Sequence, residues 1–157
     1  MTERERKLLT GWGRAMPSAA ELRVPADVDE LAADLVDAGE RGAIARGLGR
    51  AYGDAAQNAG GTVLDTTGTG AAGAIRVVDG VVTVPAGTSL DTLMAHVIPQ
   101  GFFVPVSPGT RFVTVGGAIA ADVHGKNHHV DGSFANYVRS LRLAIPNGKV
   151  LDIGPDD

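Results

Sequence analysis

Apolar residues recur along this chain at two spacings, and the two spacings predict helices in some segments and strands in others. Two segments combine helical spacing with a capping residue. Asp27 caps the first helix, with Glu30 completing a capping box, and Ser89 caps the second. The predicted buried faces are Val28, Leu31, Ala32, Leu35 and Val36 in the first helix and Leu90, Leu93, Met94, Val97 and Ile98 in the second.

Short apolar runs bounded by turn-forming residues predict strands. They are residues 22–24, 42–46, 62–65, 75–78, 81–84, 102–106, 138–145 and 150–153. Asp79-Gly80 joins two of these strands in a tight hairpin, and residues 146–149 join the last two in another. Because strands outnumber helices and do not alternate with them regularly, we predict an α+β fold with antiparallel-rich sheets and short flanking helices.

Composition limits the classes of function. The chain has 157 residues, of which 44% are hydrophobic, enough for one domain or for two small lobes. A net charge of -4, without a basic stripe, argues against a nucleic-acid partner, and the lack of cysteine excludes thiolate chemistry. The charged start has no signal-peptide core and no run is long enough for a membrane span, so we expect a cytoplasmic protein.

A glycine-rich segment follows the strand predicted over residues 42–46. It reads Ala45-Arg46-Gly47-Leu48-Gly49-Arg50-Ala51-Tyr52-Gly53-Asp54, and its G-x-G-x-x-x-G spacing is one residue longer than the dinucleotide-binding fingerprint. Since a loop follows it instead of an amphipathic helix, we do not expect a Rossmann site. Backbone N–H groups of such a loop can still hold a phosphate. Arg46 and Arg50 could add charge-assisted bonds, or could form surface salt bridges instead.

A second glycine motif reads Val113-Thr114-Val115-Gly116-Gly117-Ala118-Ile119-Ala120-Ala121. Gly116 and Gly117 stand at the start of a short apolar helix, where uncovered N–H groups and the helix dipole suit a phosphate. The alternative interpretation is a Gly-Gly turn before a core helix. Two such segments in one small chain indicate one extended, phosphorylated ligand that is held at two places.

Three of the four histidines follow, in His124-Gly125-Lys126-Asn127-His128-His129. His124 and His128 have the spacing of two metal ligands on a helix, but a glycine follows His124 and no Glu lies between the two. We therefore expect no metal site. The sequence shows no Ser-His-Asp or paired-carboxylate arrangement and so no self-contained catalytic site.

These segments, together with Pro108-Gly109-Thr110, resemble the FAD-binding domain of FAD-linked oxidases of the vanillyl-alcohol-oxidase type. The likeness runs from Gly11 to about Asn147. The glycine motifs identify the superfamily, and the uninterrupted His-Gly-Lys-Asn-His-His points to a narrower group of sugar oxidases within it. The resemblance implies a two-lobed α+β domain of the PCMH type, with FAD extended between the lobes.

The resemblance also implies which residues hold the cofactor. His124 and Gly125 would lie near the isoalloxazine ring, and His124 and Lys126 are the candidates for the substrate pocket. Many superfamily members bond FAD to a histidine two residues before the aromatic of the first loop; Arg50 stands there, so the flavin should be non-covalent. The implied FAD-binding residues are Ala45, Arg46, Gly47, Leu48, Gly49, Arg50, Ala51, Tyr52, Gly53, Asp54, Gly109, Thr110, Thr114, Val115, Gly116, Gly117, Ala121, His124 and Gly125.

The implied reaction removes a hydride from a sugar carbon that carries a hydroxyl, with FAD as the acceptor. In the narrower group the substrate is a prenyl-phosphate-linked ribose, oxidised to its 2-keto form for cell-wall arabinan, and a partner reductase completes an epimerisation. A lipid substrate of this kind would bring the protein to a membrane surface. The alternatives are an oxidase of alditols or aldonolactones and an inactive FAD-binding remnant.

The chain departs from the family pattern in its length as well as at Arg50. Enzymes of the family continue into the rest of the FAD domain and into a substrate domain. We therefore expect residues 1–157 to form an incomplete FAD-binding domain that does not turn over alone.

Overall fold

The computed structural model describes residues 4–70 and 75–154, and within them strands prevail over helices. The strands are β1 (Arg4–Leu9), β2 (Ser18–Arg23), β3 (Ala43–Arg46), β4 (Thr62–Asp65), β5 (Arg76–Val78), β6 (Val81–Thr83), β7 (Leu141–Ala144) and β8 (Val150–Ile153). The helices are α1 (Val28–Val36), α2 (Leu90–Val97), α3 (Val115–Ala120) and α4 (His128–Asp131), with 3-10 turns at Thr66–Gly68, Ile98–Gln100 and Phe134–Tyr137. The predicted α+β class is confirmed.

The largest sheet has four strands in the order β1-β2-β4-β3. β1 pairs antiparallel with β2, whereas β2, β4 and β3 run parallel to one another. The hairpins β5–β6 and β7–β8 form the other two sheets, both antiparallel. Among the described residues, three of the five strand pairs are thus antiparallel, as predicted, and the parallel trio is an addition to the prediction.

Two separate hydrophobic cores correspond to the two lobes that the resemblance implies. One core lies between α2, α3 and the β5–β6 hairpin, and the other lies within the four-stranded sheet. The buried residues of the first are Ile75, Leu90, Leu93, Val97, Val104 and Val115, and those of the second are Leu9, Ala20, Leu22 and Val63.

The two predicted N-cap residues are confirmed, whereas the bond predicted for Glu30 is shifted by one residue. Asp27 Oδ1 accepts from the N–H groups of Asp29 and Glu30, and Ser89 Oγ accepts from the N–H of Thr92. The carboxylate of Glu30 accepts from the Ala26 N–H at 3.1 Å, one residue before the position that a capping box gives it. Caps are predictable because donor and acceptor lie within four residues of each other in the sequence.

The strand prediction fails at two places: β1 at residues 4–9 was not predicted, and the strand predicted at residues 102–106 is absent. β1 was not expected, because its sequence RERKLL is charged and exposed along almost its whole length and so shows no apolar alternation. Residues 102–106 form no strand, although Val104 and Val106 are buried there. Pro105 between them has no N–H to donate to a strand ladder, so the segment buries its valines without entering a sheet.

The buried face of α1 also differs from the prediction. Val36 is 62% exposed, whereas Asp34 is buried. Asp34 Oδ1 accepts from Nη1 of Arg23 at 3.2 Å, and Arg23, itself buried, also pairs with Glu21. Burial by itself lowers the pKa of Arg23, but the hydrogen bonds and charges of Glu21 and Asp34 raise it overall. The guanidinium is therefore charged and joins α1 to β2.

We predict that Arg23→Leu lowers the free energy of unfolding by about 3 kcal/mol, because it leaves the Asp34 carboxylate buried without its cation. Denaturant titration of the two proteins measures this loss. The double variant Arg23→Leu with Asp34→Leu should regain most of it, since no buried charge is then left unpaired. A loss in the single variant below about 1 kcal/mol would show that the pair does not hold α1 in place.

Candidate functional site

The first glycine segment begins where β3 ends. β3 lies in the parallel part of the sheet, and the carboxyl ends of parallel strands form the edge at which open sheets commonly bind ligands. Thr66, directly after the neighbouring strand β4, donates through Oγ1 to the carbonyl of Arg46 at 3.2 Å. The sheet thus fixes the start of the glycine loop.

The loop presents uncovered hydrogen-bond donors. Within the described part of the chain, the backbone N–H groups of Gly47, Leu48 and Gly49 have no acceptor. Gly49 adopts a φ of 66°, the left-handed conformation that turns successive N–H groups toward one side of a loop. Residues 46–53 contain no acidic side chain and two arginines, so the surroundings favour an anion.

The two arginines of the loop serve the protein itself in this structure. Arg46 donates through Nη1 to the carbonyl of Ala56 at 2.9 Å and through Nη2 to that of Thr10 at 2.7 Å. Arg50 donates to the carbonyl of Leu48 and lies 4.8 Å above the ring of Trp12. We expected these side chains either to bind phosphate or to form surface salt bridges. Within the described residues they do neither and instead bond backbone carbonyls.

The second glycine motif meets the first directly. A Cβ on Gly47 would stand 2.4 Å from Oγ1 of Thr114, so only glycine allows this approach. Thr114 is 3% exposed and caps α3, its Oγ1 accepting from the N–H of Gly117 at 3.1 Å. The structure thus brings together the two segments that the sequence analysis proposed to share one ligand.

The expectation that α3 offers free N–H groups to a phosphate is wrong. Val115 and Gly116 donate to the carbonyls of Thr88 and Ala86, both at 2.8 Å, and Ala118 donates to that of Thr114. With Gly117 bonded to the cap, the first turn has no donor left for a ligand. Gly116 instead permits close packing, since a Cβ there would lie 3.1 Å from that of Ala86. Contact of Gly117, which is exposed, with a ligand stays a prediction.

Residues 85–88 belong to the site although the sequence analysis assigned them no role. They accept two N–H groups of α3, and a Cβ on Gly87 would come within 1.8 Å of the carbonyl oxygen of Thr66. This segment therefore connects α3 to the edge of the sheet. The available signal was the Pro-Ala-Gly run before a helix cap, which indicates a tight backbone approach.

His124 and Lys126 lie past the other end of α3. The Val123 N–H donates to the carbonyl of Ala118, which folds the chain back against the helix. Because α3 has six residues and a helix rises 1.5 Å per residue, its two ends lie about 9 Å apart. One extended ligand can therefore reach both the glycine loop and these side chains. Lys126 is exposed and makes no ion pair with any described residue.

The three histidine rings lie close together at tilted angles. The ring centroids of His124 and His128 are 4.9 Å apart, and those of His128 and His129 are 3.9 Å apart. No group of metal-ligating side chains comes together anywhere in residues 4–70 and 75–154. Asp122 orders the turn before His124, because its carboxylate accepts from the Ala135 N–H; this bond lowers the pKa of Asp122.

The remaining expected FAD-binding residues occupy the surface around this region. Tyr52 is 82% exposed. Gly125 is buried against the carbonyl of Ser107, where a Cβ would lie 2.8 Å from the oxygen. Exposed residues of this set are Ala45, Leu48, Gly53, Asp54, Gly109 and Ala121, and half-buried ones are Ala51 and Thr110.

The fold is that of a flavin-binding domain. A profile of the family described as FAD binding domain matches residues 19–154, and the chain belongs to that family.

Individual relatives agree with this assignment. The chain is 49% identical over 152 residues to decaprenylphosphoryl-beta-D-ribose oxidase of Mycolicibacterium smegmatis, an alignment that covers 95% of this chain and 33% of that protein. It is 32% identical over 74 residues to a D-lactate dehydrogenase of Anaerostipes hadrus, which covers 47% of this chain and 16% of that protein. A D-lactate dehydrogenase of Archaeoglobus fulgidus is 33% identical over 69 residues, or 44% of this chain and 16% of that protein. The chain spans about a third or less of the length of these relatives.

FAD is therefore the cofactor of this chain, and the residues present suit it. The free N–H groups of residues 47–49, beside two arginines and no acid, match the chemistry of a pyrophosphate. The contact of Gly47 with Thr114 leaves no room for a side chain between the loop and α3, and the contact of Gly116 with Ala86 leaves none between α3 and residues 85–88.

We predict that Gly47→Ala lowers the flavin content of the purified protein and its stability by about 1 kcal/mol, because the new methyl group displaces the Thr114 side chain from its capping position. Flavin absorbance per protein and thermal unfolding measure the two effects. Gly148→Ala is the matched control, since a Cβ there also meets a side chain, that of Val36 at 2.9 Å, but in the β7–β8 turn and not at the glycine loop. Equal flavin content in the two variants would mean that the Gly47–Thr114 contact has no part in cofactor binding.

Proposed function

We propose that this chain binds FAD non-covalently, with the pyrophosphate on the N–H groups of residues 47–49, and serves as the cofactor domain of a sugar oxidase. The observation that carries the proposal is the run of three free donors in a loop that contacts the cap of α3. A bound flavin supplies a hydride acceptor for oxidation of a carbon that carries a hydroxyl. The chain's own part is to hold and orient that group.

The proposed substrate is decaprenylphosphoryl-β-D-ribose or a close analogue, oxidised at its 2-hydroxyl. Its support is the 49% identity over nearly the whole chain and the exposed His124 and Lys126 at the far end of α3. We assign Lys126, a cation without a partner among the described residues, to the substrate's phosphate or to the charge of the reduced flavin. We assign His124 to positioning the substrate, with proton abstraction left to a residue outside this chain.

The wider setting is part of the same proposal. Residues 1–157 form part of a longer FAD-binding domain, and the whole protein acts in cell-wall arabinan synthesis together with a reductase that completes an epimerisation. Within the described residues no helix has the length and apolar character to cross a membrane. We propose a cytoplasmic protein that meets its lipid-linked substrate at a membrane surface.

We predict that acid or heat releases the flavin from the full-length protein. Arg50 occupies the position at which many members of the resembled superfamily attach FAD, and its neighbours Gly49 and Ala51 carry no nucleophile that could replace histidine. Absorbance of the supernatant after acid precipitation measures the free flavin. Yellow colour retained in the protein pellet would contradict non-covalent binding.

We predict that Lys126→Ala in the full-length protein leaves FAD bound but lowers kcat or raises KM for the prenylphosphoryl ribose by about tenfold. Steady-state kinetics with a flavin measurement on the same sample test both statements. Lys149→Ala removes another exposed lysine, in the β7–β8 turn, and should change neither. Wild-type kinetics in the Lys126 variant would assign Lys126 to the solvated surface, and turnover of alditols in place of the ribose would favour the alternative oxidase class.

A further inference from the structure

We propose that Gln57 is a positioning residue for the cofactor, because it fastens the β1–β2 connection, residues 10–17, onto the glycine loop. The inference rests on the proposed pyrophosphate site at residues 47–49. The connection comes before both glycine motifs in the sequence. Its proposed function is to hold the glycine loop in its binding conformation.

Gln57 uses both ends of its amide on the β1–β2 connection. Its Nε2 group lies 3.1 Å from the carbonyl of Leu9, 2.9 Å from that of Met16 and 2.8 Å from Oγ of Ser18. Its Oε1 atom accepts from the Gly11 N–H at 2.9 Å. One side chain thus contacts the beginning and the end of the connection, and closes it into a compact turn.

The closed connection in turn covers the glycine loop at several points. The Trp12 N–H donates to the carbonyl of Ala51 at 2.9 Å, and Arg50 lies over the indole ring. Gly11 lies so close to the carbonyl of Gly53 that a Cβ there would stand 1.9 Å from the oxygen. Arg46, at the start of the loop, donates to the carbonyl of Thr10. Contacts therefore flank the three free N–H groups on both sides.

This arrangement has an energetic consequence for ligand binding. Three adjacent N–H groups can face one anion only in a fixed backbone conformation, and a loose loop would have to be ordered when the ligand binds. The loop glycines increase that entropic cost because they allow many backbone conformations. Bonds that hold the loop before binding therefore increase affinity without touching the ligand, which makes Gln57 a positioning residue.

The test compares Gln57→Glu with Asn58→Asp in the full-length apoprotein. An ionised Glu cannot donate to the carbonyls of Leu9 and Met16, so the fastening is lost. Asn58 is the matched control: its Nδ2 donates to the carbonyls of Arg41, Gly42 and Thr62, which join β3 to β4 and do not belong to the glycine loop. The probes are FAD and, as a competitor that carries the pyrophosphate without the flavin, ADP.

We expect Gln57→Glu to raise the Kd for both FAD and ADP about tenfold, and Asn58→Asp to change neither by more than about twofold at a comparable loss of thermal stability. The affinity of Gln57→Glu should recover as the pH falls toward the pKa of the new carboxyl, since protonation restores a donor. Trp12→Ala, a change at a half-exposed ring, should give a smaller loss in the same direction and covers the case in which Gln57→Glu does not fold.

If Gln57→Glu and Trp12→Ala bind FAD and ADP with the Kd values of the wild type, the role of Gln57 is overturned and the proposed site remains intact. The same holds if Asn58→Asp weakens binding as much as Gln57→Glu, because a general loss of stability would then explain both. A wild-type protein that binds FAD without competition from ADP would instead refute the pyrophosphate site itself.

Discussion

The contact between Gly47 and Thr114 joins the two lobes of the domain. Gly47 follows β3 of the sheet lobe, and Thr114 begins α3 of the other lobe, whose core includes Val115. The buried threonine caps α3 with its side chain and forms a β-bridge with Ser89, the cap of α2. A side chain at position 47 would therefore disturb the starts of α2 and α3 as well as the loop. The packing of the two lobes against each other thus requires glycine at this position.

The two glycine motifs contribute in different ways to the same site. The first supplies hydrogen-bond donors, because its N–H groups are free and its backbone enters the left-handed region at Gly49 and Gly53. The second supplies shape, because the N–H groups of Gly116 and Gly117 are bonded within the protein and the missing side chain of Gly116 lets α3 pack against Ala86. Glycine spacing in a sequence therefore does not by itself distinguish a ligand donor from a packing position.

Local features of this fold could be predicted from the sequence, and long-range ones could not. The caps at Asp27 and Ser89 and the hairpin at Asp79-Gly80 depend on neighbours a few residues away, and all three are confirmed. The burial of Asp34 was not predicted, because its partner Arg23 lies eleven residues earlier in another element. The role of Gln57 was not visible for the same reason, since its partners lie about 40 residues away in a segment with no pattern of its own.

Arg50 connects the structure of the loop to the way in which the flavin is retained. In many members of the superfamily that the sequence resembles, a histidine at this position forms a covalent bond to FAD, and the affinity of the loop then matters little. Here the side chain bonds the Leu48 carbonyl and stacks on Trp12, so it stabilises the loop instead of reacting. Under the proposed non-covalent binding, the cofactor stays only as long as its contacts last, and a loop ordered in advance lengthens that time. The proposed non-covalent binding and the proposed fastening of the loop by residues 10–17 are therefore consistent with each other.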